Sequence, residues 1–360
     1  MENKVLKVGV VGCGGISNAA HFPAYAKMKN VEIVGVCDIK VDRAEKWAQR
    51  YFEKTGKTPR VFENYMDLIN MEGIEAVDIC TPNYLHSIIA VAALDAGLHA
   101  FSEKPDAVSV AECQKMKEAA ERSGKVLMVM RNNRYSAQAK YLKNYIESGK
   151  MGKIYTARCG WQRRRGIPGK GGWFTTKAQS GGGPLIDLGV HMIDLTMWLM
   201  GNPTPVAVSG CTYSKFGNND LEDSVNSSFG DKKADGTFDV EDLAMAYIRF
   251  DNGASLQVEC SWASNIAGEN KFFELRGSKA GTIVGNGKPF HIYTEDEDGN
   301  LVNIEPLVRG GGAHGGNLKH FADVILNGAE PMFTPEQGLN MVKILEAIYK
   351  SAETGREVLL

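Results

Sequence analysis

Lys7-Val8-Gly9-Val10-Val11-Gly12-Cys13-Gly14-Gly15-Ile16-Ser17 is the stretch whose reading decides the fold. Val8 to Val11 is an apolar run of strand character, Gly12 to Ser17 a glycine turn, and the residues after Ser17 read as a helix. A second apolar run, Glu32-Ile33-Val34-Gly35-Val36-Cys37, follows and ends on Asp38. Strand, glycine turn, helix, strand and acid in this order form the fingerprint of a dinucleotide-binding βαβ unit. Gly12 permits the tight turn, and Gly14 lets the backbone approach a pyrophosphate. Gly15 and Ile16 complete the turn, and the helix starting near Ser17 points its unpaired N–H groups and positive dipole end at that phosphate. Ser17 stands where a third glycine is usual; a small residue there still lets helix and strand pack closely.

Asp38 bears on the identity of the cofactor. A carboxylate at this position accepts hydrogen bonds from ribose hydroxyls and repels a 2′-phosphate. Neither Ile39, also assigned to the adenosine end, nor Lys40 supplies an arginine clamp for such a phosphate. NAD is therefore favoured over NADP.

A chain of 360 residues has the length of two domains. An apolar fraction of 43% and a charged fraction of 23% are those of a globular protein. A net charge of −2 gathers neither nucleic acid nor anionic membrane. No apolar run approaches the roughly 20 residues that span a bilayer, and strand one begins too early to leave room for a signal peptide. The seven cysteines are scattered without a Cys-x-x-Cys pair, so no disulfide framework or structural zinc site is expected, and a reducing cytoplasm is.

Residues 1–131 read as a doubly wound parallel sheet with helices between its strands. Helices are expected at Val41–Tyr51, Leu85–Ala96 and Val110–Ser123, and strands at Ala76–Cys80, His99–Phe101 and Val126–Met130. Ligands bind beyond the carboxyl ends of such strands. Unusual polar residues collect there at Gly12–Ser17, at Thr81-Pro82-Asn83, and at Glu103-Lys104. Residues 132–360 change texture. Helices are expected at Ala137–Ser148 and Ile186–Met200, then consecutive strands from Val206 to Ile304, then two helices, Asn317–Leu326 and Pro335–Ala352. Strands without intervening helices predict an open, mostly antiparallel sheet in an α+β domain. Such a sheet has one face to cover, which favours subunit association through it. The polar stretch Lys215–Glu241 is an inserted loop or part of a substrate or subunit rim.

Lys104 is the leading catalytic candidate. Hydride transfer from an alcohol needs a base, and a lysine serves when a neighbouring positive nicotinamide ring lowers its pKa. Glu103 before it can hold the cofactor or orient the lysine. Asp187 and His191, four apart after Gly181-Gly182-Gly183-Pro184, share one helical face. Asp187 can bind a substrate hydroxyl and His191 can share or relay its proton. The glycines are read as allowing close approach to a ligand, and Pro184 as a helix start. A self-satisfied core pair is the competing reading, and no metal site is expected because no further ligand stands at the right spacing. In the basic loop Arg163–Trp173, Arg164 and Trp173 are candidates for binding a polyhydroxylated ligand, by guanidinium hydrogen bonds and ring stacking.

With these residues in hand, the chain resembles the glucose–fructose oxidoreductase / inositol dehydrogenase / rhizopine-catabolism (Gfo/Idh/MocA) family along effectively its whole length. The carriers are Gly12-Cys13-Gly14-Gly15-Ile16, Asp38, Thr81-Pro82-Asn83 with His86, Glu103-Lys104-Pro105, and Gly183 through His191. The resemblance implies an N-terminal Rossmann domain and a C-terminal α+β domain with a large open sheet. It implies oxidation or reduction of one hydroxyl of a sugar, cyclitol or glycoside, in a homodimer or homotetramer. It assigns chemistry to Lys104, Asp187 and His191. Cofactor contacts fall to Thr81, Pro82, Asn83, His86, Glu103 and Asn133. The loop from Arg163 to Leu185 looks like that of bacterial enzymes oxidising the C3 hydroxyl of glucosides. Two further readings use the same residues. One is a glycoside-cleaving or epimerising enzyme with tightly held NAD and transient oxidation; the other is a non-catalytic NAD- or sugar-binding protein.

Overall fold

The computed structural model describes residues 4–285, 287 and 289–360. Its residues form two compact units, Met1–Tyr135 with Gly312–Val342, and Ser136–Gly311 with Lys343–Leu360. The sequence reading had assigned 312–342 to the second domain. They cluster with the first because the helix Ala313–Asn327 sends Leu318, Phe321 and Ala322 into its core.

The first unit holds six parallel strands: β1 Leu6–Val11, β2 Val31–Cys37, β3 Arg60–Phe62, β4 Ala76–Ile79, β5 His99–Ser102 and β6 Leu127–Val129. Their order is β3-β2-β1-β4-β5-β6, the doubly wound Rossmann order. Both faces are covered, so the central strands are buried nearly throughout rather than alternating, with Lys7 the exposed exception and Asp78 a buried acid. One face packs on Trp47, Phe22, Tyr25 and Phe321, the other on Leu68, Ile89, Leu94 and Met116. The helix Val41–Thr55 buries Ala44, Trp47, Ala48 and Tyr51, the face its period predicts. β1, β4 and β5 are neighbours, so the three polar strand ends fall side by side.

The second unit is built on nine strands. They are β7 Ile154–Gln162, β8 Pro205–Tyr213, β9 Leu243–Phe250, β10 Ser255–Ser261, β11 Asn270–Gly277, β12 Ala280–Gly285, β13 His291–Glu295, β14 Leu301–Ile304 and β15 Val358–Leu359. The order is β14-β13-β12-β11-β7-β10-β9-β8-β15, antiparallel except for the β7–β10 pair. The helix Val190–Leu199 packs on β7 and β11. The opposite face leaves Tyr155, Met245, Tyr247, Ile283 and Tyr293 exposed.

Candidate active site

The glycine turn is shaped by two constraints of different origin. Gly12 has φ +94°, and a Cβ on it would stand 2.5 Å from the Cys80 carbonyl oxygen, so the fold itself demands glycine. At Gly14 a Cβ would meet nothing within 4 Å. Packing does not require glycine there; the open space is a cradle for an external group. Asn18 pins the turn by donating to the carbonyls of Cys13 (2.8 Å) and Gly14 (2.9 Å). No side chain caps the helix that starts at Ser17, which leaves its first N–H groups for an anion. Ser17 itself faces inward, its buried hydroxyl accepting from Trp47 Nε1 at 3.1 Å. Asp38 accepts from the backbone N–H of Cys13 (2.9 Å) and Lys40 (2.8 Å), one bond per oxygen. Each oxygen keeps a lone pair for a ribose hydroxyl. Beside it Ile39 is 83% exposed, an apolar surface for an adenine ring. These residues fit a dinucleotide.

Beneath the turn lies a cluster that the sequence reading missed. His21 is fully buried between two carboxylates, Nδ1 to Asp78 at 2.7 Å and Nε2 to Glu103 at 2.9 Å. Burial, the largest single effect, disfavours the imidazolium, but the charges and hydrogen bonds of Asp78 and Cys80 together hold His21 well above its ordinary 6.5. Burial likewise pushes Glu103 up, and the bond and charge of His21 reverse this, to about 2. The Cys80 thiol is 3.4 Å from His21 Nδ1, and burial raises it to about 12. His21, Asp78 and Cys80 offer atoms within 4.8 Å of one another. The 2.7 Å His21–Asp78 spacing is that of a hydrogen bond, whereas two ligands of one tetrahedral zinc stand roughly 3.3 Å apart. The signal in the sequence was Asp78, a lone acid inside the apolar run Ala76–Cys80.

Glu103 uses its second oxygen to accept the backbone N–H of Lys104 at 3.1 Å. Lys104 is half-buried at the carboxyl end of β5. His86 is fully buried, its ring nitrogens 2.8 Å from the Pro105 carbonyl and 2.9 Å from the Thr81 carbonyl. Burial lowers its pKa and keeps it neutral, so it donates to one of these carbonyls at a time, and it presents neither nitrogen outward. Thr81 and Pro82 are partly exposed, Asn83 is buried at the start of the helix Tyr84–Asp95, and Asn133 is partly exposed in the turn Asn132–Tyr135.

In the second unit, Leu185–Gly189 forms a π-helical turn that runs into Val190–Leu199. Between Gly182 and Leu199 every residue is buried except Asp187 and His191. The wider π turn puts positions four apart on one line, and this line faces outward. Asp187 Oδ2 accepts from Nε1 of Trp262, a ring with 0% exposure. The His191 ring lies 6.1 Å from that of Trp161. Trp161 donates to Glu269 at 2.5 Å and carries Lys271 Nζ at 4.1 Å and Arg163 Cζ at 5.2 Å from its ring centroid. Burial lowers Lys271, and burial lowers Arg163 against the charge of Asp187. Trp161 stands 108 positions before Glu269, and Trp262, Glu269 and Lys271 share no recognisable spacing with it, so the sequence gave no signal for them.

Of the three loop arginines, Arg163 is the buried one, at 4% exposure. Arg164 is exposed, with Nε 3.7 Å from Asp223. Trp173 stacks on Phe174 at 3.8 Å. The stretch after Lys215 is laid on this loop: Asp223 N–H donates to the Arg165 carbonyl, Lys233 N–H to that of Lys170, and Asp239 N–H to that of Thr175. Phe216, Phe238 and Val240 join Ile167, Phe174, Leu188 and Trp262 in one apolar cluster. The glycines before Pro184 face the protein's own atoms, not a ligand: a Cβ on Gly182 would overlap the Tyr349 hydroxyl and one on Gly183 the Glu241 carbonyl.

Among the described residues no helix is long and apolar enough to cross a membrane. Residues 6–131 match the model of an oxidoreductase family's NAD-binding Rossmann fold, and residues 143–360 match the same family's C-terminal α/β domain. D-glucoside 3-dehydrogenase of Escherichia coli is 30% identical over 99% of this chain and 98% of its own. Levoglucosan dehydrogenase of Pseudarthrobacter phenanthrenivorans is 33% identical over 79% of this chain and 74% of its own. Among solved structures, GenD2 from gentamicin A biosynthesis, in complex with NAD, superposes with a TM-score of 0.78 at 25% identity, covering 99% of this chain and 97% of that one. The chain is an NAD-binding oxidoreductase and belongs to the Gfo/Idh/MocA family.

Proposed function

We propose that this protein is an NAD-dependent dehydrogenase acting on a ring secondary hydroxyl of a sugar or glycoside, with C3 of a glucoside as the leading position. The observation that carries this is the outward pair Asp187–His191, the two residues left unburied in an otherwise buried stretch. The full-length likeness to a glucoside 3-dehydrogenase supports the choice of carbon. Bound NAD supplies the hydride acceptor. Gly12, Gly14, Gly15, Ile16, Asp38, Ile39 and the strand-end residues Thr81, Pro82, Asn83 and Asn133 hold it. Lys104 takes the hydroxyl proton. Asp187, fixed by Trp262, accepts from a neighbouring ring hydroxyl, and His191 hydrogen-bonds the reacting oxygen. Arg163, Lys271 and Trp161 offer donors and an aromatic face to the rest of the ring. A glucoside carrying deuterium at C3 should pass its label to the nicotinamide. Label retained in the sugar while NAD is reduced would reject C3.

Asp38 sets the cofactor. NADP is expected to bind at least about tenfold more weakly than NAD, because its 2′-phosphate meets this carboxylate. Asp38→Ala should shrink that ratio; titration of protein fluorescence with each cofactor measures it, and equal affinities in the wild type would remove Asp38 from this role.

The open sheet face, with Tyr155, Met245, Tyr247, Ile283 and Tyr293 exposed, is covered by a second copy in a dimer or tetramer in this reading. Seven free cysteines, most of them buried, suit a reducing cytoplasm.

A further inference from the structure

Glu241 ends the long stretch that lies on the basic loop, two residues before β9 begins at Leu243. Its side chain is buried. One oxygen, Oε2, accepts the Gly183 N–H at 2.9 Å. The other, Oε1, accepts the Leu185 N–H at 3.1 Å and the Tyr349 hydroxyl at 2.9 Å. One carboxylate therefore satisfies two of the N–H groups that a helix start leaves unpaired. It does so from outside the helix, braced by a tyrosine on the C-terminal helix Pro335–Thr354. Gly182 and Gly183 are glycines because this pair occupies the space their side chains would need.

We propose that Glu241, braced by Tyr349, is a positioning residue for the reaction: it sets the rotation of the π turn so that Asp187 and His191 face outward together. The inference rests on the reading of those two residues as substrate-binding. A π turn is a single-turn irregularity without the cooperative ladder of an α-helix. Its start is where fraying concentrates. Asp187 is the third residue of that turn, one turn before His191. A loosened start rotates Asp187 off the Trp262 indole and off the line it shares with His191. Small misplacement of a substrate-positioning group is enough to reduce turnover strongly.

Two variants of the full chain test this. Glu241→Gln replaces one acceptor by an NH2 group that confronts a backbone N–H. Tyr349→Phe removes the brace and leaves both backbone bonds. The readouts are kcat and KM on whichever hydroxyl compound reduces NAD, NAD affinity, and the titration of the His191 imidazole by NMR, assigned with His191→Asn. Glu241→Gln should lower kcat by about tenfold or more while NAD affinity changes by less than about twofold. It should also shift the His191 titration, and Tyr349→Phe should move both readouts in the same direction by less. A folded Glu241→Gln with kcat within about twofold of wild type and an unmoved His191 titration would mean an ordinary cap, and would overturn the proposal. If Glu241→Gln does not fold, Tyr349→Phe decides by the same two readouts. If wild type oxidises no compound tested, the functional reading fails separately, and the His191 titration alone decides this one.

Discussion

Lys104→Met is expected to bind NAD within about twofold of wild type and to lose roughly two to four orders of magnitude in turnover. Methionine keeps the length and the apolar stem and deletes the amine. The argument is one of elimination at the end of β5. Glu103, its neighbour, is committed: one oxygen faces His21, the other holds the Lys104 N–H, and His21 keeps the carboxyl ionised down to about 2. A carboxylate so stabilised is a poor base. His86 is fully buried with both ring nitrogens against backbone carbonyls. Lys104 is the group at this strand end with a titratable side chain that is not buried. Stopped-flow turnover with the best substrate checks this, and a variant within about threefold of wild type would take Lys104 out of the chemistry.

His21→Leu is expected to destabilise the first unit by about 3–5 kcal/mol, because it leaves the Asp78 and Glu103 carboxylates buried without the cation between them. Urea unfolding measures the loss; a change below about 1 kcal/mol would mean that the cluster is not ionised. The pH dependence has two limbs with opposite signs. Glu103 is lowered from 4.5 to about 2, so its contribution is present above 4.5 and is lost as pH falls toward 2. His21 is raised, so its contribution is fully present below 6.5 and is lost as pH rises through its elevated folded value. Both act fully between about pH 4.5 and 6.5.

The architecture was readable because its signals are periodic. Val41 onward repeats with helical spacing, and its four predicted inward residues are the four that are buried. The consecutive strands expected from Val206 to Ile304 are β8 to β14, which run from Pro205 to Ile304. What escaped had no period to show. β3 spans Arg60–Phe62 and is largely exposed, and Tyr65–Ile69 is a single turn. β15 is two residues long and is defined by its pairing with β8. Residues 312–342 belong to the first unit through contacts with residues some 200 positions earlier, such as Asn317 Oδ1 with the Arg131 N–H.

Lys104, Asp187 and His191, the residues the sequence proposes for the chemistry, are each half-buried among buried neighbours. The glycines divided by cause: Gly14 leaves space for an external group, while Gly182 and Gly183 make way for Tyr349 and Glu241. Composition alone cannot separate these, since the difference lies in what tertiary folding brings alongside. The same holds for Arg163 and Arg164, adjacent in sequence, one buried beside Glu269 and the other paired outward with Asp223.

The most direct test is the absorbance of reduced nicotinamide when wild type and Lys104→Met are mixed with NAD and a panel of glucosides, free sugars and inositols. The account predicts absorbance that grows with wild type and a glucoside or related sugar, in proportion to substrate consumed, and stays flat with the variant. Bound NAD with no reduction by any member of the panel would contradict it.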